Sequence, residues 1–180
     1  MGNCWSSALV AAVAVAVAAL VMAAKPRDPT FNLISIKLTS FKLKFPVLDA
    51  EAILTVEVTN PNVVPINYSD TTMSIFYDGN LLGSAPIDAG SQPARSSQQL
   101  HLPARLSGLK LAKHGKTFMS DVGKREMVLD STVDICGAAK VLWWDHKFKV
   151  HVDSHVIVDP VFLDVIDQDN KSQLDVFFGS

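Results

Sequence analysis

The chain has 180 residues and a formal net charge of −2, which suits one domain of ordinary size with a short appendage and gives no global field towards nucleic acid. Its two cysteines, Cys4 and Cys136, stand on opposite sides of an apolar run, so neither an internal disulfide nor a zinc site has the spacing it needs. That run makes the mean hydropathy positive; the remainder has the composition of a soluble globule large enough for a core.

Residues 1–7 form a short leader before an uncharged run, Ala8 to Ala24, built of Ala, Val, Leu and Met. Trp5 before it and Lys25 after it are suitable interfacial anchors. At about 1.5 Å per residue a helix over 8–24 spans roughly 25 Å, slightly short of the hydrocarbon core. Three readings compete. A cleaved signal peptide would want a basic leader, which is missing. A retained single-pass transmembrane helix is the favoured one. A third adds lipid, because Met1-Gly2-Asn3-Cys4-Trp5-Ser6 fits the pattern for myristoylation at Gly2, with Cys4 beside it for palmitoylation.

Topology is contested within the sequence. Lys25, Arg27, Lys37, Lys42 and Lys44 after the run favour a cytosolic domain. Acylation requires a cytosolic N-terminus, which places the domain on the other side. Asn67-Tyr68-Ser69 and Asn170-Lys171-Ser172 are glycosylation sequons, relevant at Asn67 and Asn170 only outside the cytosol. The expectation is a single-pass plasma-membrane or endomembrane location, with the side of the domain left open between the two and the extracytosolic one favoured.

Residues 25–30 form a stiff, proline-bearing linker, and from 31 the hydrophobic period becomes two. Phe31 to Phe45 reads as a strand whose phase slips near Thr39-Ser40, the mark of a bulge. Ala52, Leu54, Val56 and Val58 alternate next, and Asn60-Pro61-Asn62 ends that strand. Met73 to Tyr77, the turn Asp78-Gly79-Asn80 and Leu81 to Ile87 form a hairpin. Gln98 to Leu106 is a strand that Pro103 weakens or sends to an edge. Ser107 to about Val122 is the one helix. Met127 to Ile135 and Phe148 to Val158 are strands, and Cys136 is expected as an inert core thiol. Residues 161–180 are either a terminal strand or an acidic tail. Such a series predicts an all-β domain over 31–160, an antiparallel two-sheet sandwich with one short helix.

Val58-Thr59-Asn60-Pro61-Asn62, Ile66-Asn67-Tyr68, Met73 to Gly79 and Leu82-Gly83 resemble, in that order, the plant late-embryogenesis-abundant type-2 domain, also called the water-stress and hypersensitive-response domain. The apolar N-terminus is similar to its membrane-anchored, harpin-induced-like branch. The resemblance implies a fibronectin-III-like or immunoglobulin-like sandwich and a non-enzymatic role in desiccation, cold or defence responses. Unlike many anchored relatives, this chain has no long proline-rich or basic leader. Pro61 drives Asn60 into extended geometry and Asn62 can bond its own turn, so Asn60, Pro61 and Asn62 are read as structural.

His151, Asp153 and His155 share one strand face and could ligate a transition metal; a solvated face is the favoured reading, as no fourth ligand is apparent. In Trp143-Trp144 one ring is expected in the core and one outside. Lys110, Lys113, Lys116, Lys124 and Arg125 form a basic patch read as a solvated helix surface. No nucleophile elbow or phosphate-binding loop is present. The expectation is therefore a membrane-anchored structural or interaction module with no catalytic residue, metal or cofactor. Its partners would be a membrane and proteins or lipid, with neither nucleic acid nor a small-molecule substrate. The alternative is a lipid-binding or lipid-transfer module, which demands a continuous apolar cavity of several hundred Å³.

Overall fold

The computed structural model describes residues 27–44, 47–107, 111–141 and 144–177. The leader with Gly2 and Cys4 and the apolar run 8–24 lie outside the described residues, as does the side chain of Trp144, and Trp143 with it. Among the described residues no helix is long and apolar enough to cross a membrane.

Among the described residues ten strands form one antiparallel sheet. They are β1 (Thr30–Lys44), β2 (Val47–Asn60), β3 (Ile66–Tyr68), β4 (Thr71–Tyr77), β5 (Asn80–Ile87), β6 (Gly90–Gln92), β7 (Ser96–Leu106), β8 (Met127–Val141), β9 (Trp144–Val158) and β10 (Val165–Phe177). The one helix among the described residues, α1 (Leu111–Lys124), links β7 to β8. The main order is β1-β2-β7-β5-β4-β8-β9-β10, with β3 and β6 continuing the β4 side of β8. The antiparallel β architecture and the one helix match the sequence. Instead of two separately bonded layers, however, the strands form one continuous sheet curled on itself.

Apolar alternation sets which face turns inward. Leu54, Ile75, Leu82, Leu102, Val133, Val150 and Val152 are all buried in one cluster. Asp78 and Gly79 both take positive φ, as the tight hairpin between β4 and β5 requires. Gly83 is needed for a different reason, because a Cβ there would strike the backbone of Arg105 and Leu106 on β7. The β1–β2 register slips between Leu38 and Ser40, at the expected bulge, and again between Leu33 and Ser35. Pro103 sits in the middle of β7, opposite Ile53 of β2. It is tolerated because β5 pairs with β7 only at Leu106 and Arg105.

Two expectations need correction or completion. Cys136 is exposed, not a core thiol: inward Val133 and Ile135 leave position 136 on the outer face of β8. Residues 165–177 are a full strand paired along β9, so this part of the segment is integral to the sheet rather than a tail.

The curl brings the first and last strands together. Among the described residues β1 and β10 share no backbone ladder. Two side-chain amides bridge them instead. The Leu33 amide donates to Gln168 Oε1 at 2.9 Å, and Asn170 Nδ2 donates to the Phe31 carbonyl at 2.5 Å. Gln168 Nε2 ties the pair by donating to Asn170 Oδ1 at 2.9 Å.

Candidate functional site

Inside the curl lies a cavity of about 170 Å³. Phe31, Leu33, Ile36 and Leu38 of β1 form one wall, and inward residues of the other strands, most of them from β2, β7, β8 and β9, line the rest. Leu38 also lines it while 40% exposed, so the cavity approaches solvent where β1 runs beyond the seam with β10. No described lining residue carries a charge.

One end of the interior is closed by polar side chains that satisfy their surroundings. Asn60 is fully buried; its Nδ2 donates to the Val64 and Pro93 carbonyls, and its Oδ1 accepts from the Asn62 amide, each at 3.0 Å. Gln92, also buried, donates to the Val58 and Ser96 carbonyls at 2.7 and 2.9 Å. Asn62 in turn holds the start of the domain through reciprocal bonds with the Arg27 backbone. The geometry of Asn60-Pro61-Asn62 is thus that of a strand exit locked in place. Near the opposite end, Tyr77 donates to Asp121 Oδ2 at 2.7 Å and sets its ring edge-on to Phe118, which docks α1. Burial, reinforced by the Asp121 carboxylate, pushes the Tyr77 phenol far up, so it stays a donor.

A polar row interrupts the apolar wall. Ser131 of β8 lies opposite Ser154 of β9, and Ser154 lies opposite Asn170 of β10. Ser154 Oγ donates to Asn170 Oδ1. All three line the cavity. Sequence reasoning missed this row, although a signal was present: Ser131 breaks the inward series Met127, Leu129, Val133, Ile135, and Ser154 breaks Val150, Val152, Val156, Val158.

The outer face of the same strands carries the metal candidates. His151 Nδ1 meets Asp134 Oδ1 and His155 Nδ1 meets Asp130 Oδ1, both at 2.6 Å across the β8–β9 register. Lys149 Nζ adds a bridge to Asp134 at 3.0 Å, and His151 Nε2 lies 3.3 Å from Asp153. The hydrogen bond that His151 donates to the Asp134 carboxylate raises the His151 pKa, and the bonds donated by His151 and Lys149 hold the Asp134 carboxyl below its usual range. His151 and His155 face different carboxylates. Among the described residues no group of three His, Cys, Asp or Glu is placed to hold a metal ion.

Of the sequons, Asn67 is exposed on β3, whereas the Asn170 amide is spent on the β1–β10 seam. Of the basic patch, Lys116, Lys124 and Arg125 are exposed. Arg125 makes a bidentate bond to Asp159 Oδ2 at 2.9 and 2.6 Å and stacks over Phe162, pinning the β9–β10 turn.

Curled sheet, single helix and strand-exit asparagines together define a β-fold domain without a catalytic set among the described residues. The family model for late embryogenesis abundant protein, LEA_2, matches residues 55–156, more than half of the chain. The protein belongs to this family, and membership suggests a stress-related, non-enzymatic protein. Among solved structures, a crystal structure from Archaeoglobus fulgidus is similar at 12% identity and TM-score 0.36, covering 83% of this chain and 100% of that one. A solution structure from Arabidopsis thaliana is similar at 18% identity and TM-score 0.36, covering 85% of each chain. No curated protein matches the chain.

Proposed function

We propose that the protein is a non-enzymatic stress-response module that binds a single apolar chain inside its curled sheet, while residues 8–24 hold it at a membrane. The observation that carries this reading is the uncharged cavity of about 170 Å³. Protein interiors are otherwise close-packed. At about 24 cal/mol per Å³, an empty space of this size costs about 4 kcal/mol, a large share of the roughly 5–15 kcal/mol that stabilises a domain. A binding role accounts for tolerating that cost. The volume falls below the several hundred Å³ of a whole-lipid carrier. It is close to that of the cavity of about 150 Å³ that accepts benzene. The occupant is therefore one hydrocarbon chain or part of one, with the rest of its molecule left near Leu38.

A hydrophobic fluorophore titrated into the full chain tests the reading. Binding should saturate, and Val152→Phe, which fills the cavity, should weaken it about tenfold, with the milder Val133→Leu intermediate. An unchanged affinity in both filled variants, or no uptake by the unaltered chain, sinks it. The tether is tested separately by carbonate washing of membranes, where release of the chain into the soluble fraction would refute it.

A further inference from the structure

The cavity wall carries a hydrogen-bonding row and no charge, and from this we infer that its ligand is a neutral amphiphile: a hydrocarbon chain ending in an uncharged hydroxyl-type head. The inference rests on the binding reading above and names the ligand's chemical class. The backbone of Ser131 is paired in the sheet, but its hydroxyl makes no hydrogen bond among the described residues. Next to it, Ser154 is occupied as a donor to Asn170, leaving lone pairs on its oxygen as acceptors. Ser131 and Ser154 therefore offer an open donor and an open acceptor side by side, on a wall whose other polar groups include the carboxamides of Gln92, Gln98, Gln168 and Asn170. A hydroxyl, which both donates and accepts, is complementary to that pair.

An anionic head is not. The described lining contains no Lys, Arg or His to neutralise a carboxylate or phosphate, and an unpaired charge in such surroundings is strongly disfavoured. His151, His155 and Lys149 of β9 lie on the outer face, where Asp134, Asp130 and Asp153 engage them. A pure hydrocarbon would fill the space but leave Ser131 without a partner, so it should bind less tightly than the alcohol.

The full chain, isotope-labelled and held in lipid nanodiscs, can be titrated with n-octanol, n-octane and octanoate. Binding is read from the NMR shifts of Ser131, Ser154 and the interior Leu and Val methyl groups. At pH 8 n-octanol is expected to bind at least tenfold more tightly than octanoate and severalfold more tightly than n-octane. Octanoate should gain at least tenfold at pH 5, where a substantial fraction of a carboxylic acid is neutral. Ser131→Ala should remove the advantage of n-octanol over n-octane, with n-octane binding as tightly as before or more tightly. If octanoate at pH 8 equals n-octanol, or Ser131→Ala leaves the ratio of n-octanol to n-octane unchanged, the ligand class is wrong although apolar binding stands. If none of the three moves the interior methyl groups, the cavity is not a binding site and both readings fall together.

Discussion

Asn60 concentrates three hydrogen bonds on one buried side chain. Its amide reaches two carbonyls on separate loops, and its oxygen caps the turn that follows Pro61. Asn60→Ala leaves the Val64 and Pro93 carbonyls without that donor and the Asn62 amide without its acceptor. A loss of about 2–4 kcal/mol is expected, since stranded buried polar groups cost more than the bonds themselves contribute. Asn60→Asp should be at least as damaging, because it keeps the acceptor but turns an oxygen towards two carbonyls. Urea denaturation measures both, and a loss in either variant below about 0.5 kcal/mol would refute this account. The tripeptide was readable because proline and asparagine act locally. The role of Asn60 in tying two loops together was not, because Pro93 is distant in sequence.

The paired strands β8 and β9 show what a period of two reveals and what it conceals. Their inward valines and outward His–Asp positions follow from alternation alone. The same alternation placed Cys136 outside, a signal outweighed in the sequence reading by the general preference of thiols for cores. The partners across the outer face could not be read, since register decides that His151 meets Asp134 and His155 meets Asp130. β10 was obscure for a related reason: Gln168 and Asn170 occupy inward positions where apolar residues are expected. The His151–Asp134 pair has a defined pH signature. With the imidazole raised, its contribution is present at low pH and fades as pH rises through its folded value, above the ordinary 6.5. With the carboxyl lowered, its contribution is present above the ordinary carboxyl range and fades as pH falls below it. The two overlap between about pH 4 and 7. Asp134→Asn should therefore move the His151 midpoint down towards 6.5, as followed by NMR. The melting-temperature gap between variant and parent should be widest near pH 5–6, small because both groups are half exposed, and narrower at pH 8 and pH 3. A gap that grows steadily up to pH 8 would refute the pairing.

At the scale of the molecule, the curl converts two edge strands into a seam. A strand edge is ordinarily closed by a backbone ladder or protected from pairing with another chain. Here β1 and β10 are joined by the carboxamides of Gln168 and Asn170, which bond the backbone of β1 in place of a ladder. Nothing in the periodicity of β1 or β10 alone announces that they meet, and the cavity depends on the same long-range closure; hence neither was legible in the sequence. Because a few side-chain bonds hold the seam while a full ladder holds β8 to β9, the seam is a weaker join than the one between those strands. Replacing both Gln168 and Asn170 by Ala should cost about 1–3 kcal/mol. It should speed hydrogen exchange at the Leu33 amide by tenfold or more, because that donor loses its acceptor, while the Val150 and Val152 amides on β9 slow or quicken only with global stability. Exchange that rises equally at Leu33 and Val152 would mean the amides stabilise the whole sheet rather than the seam. The same geometry argues against a glycan on Asn170 in the closed fold, since its Nδ2 is committed to the Phe31 carbonyl, and leaves Asn67 as the sequon a closed molecule can present.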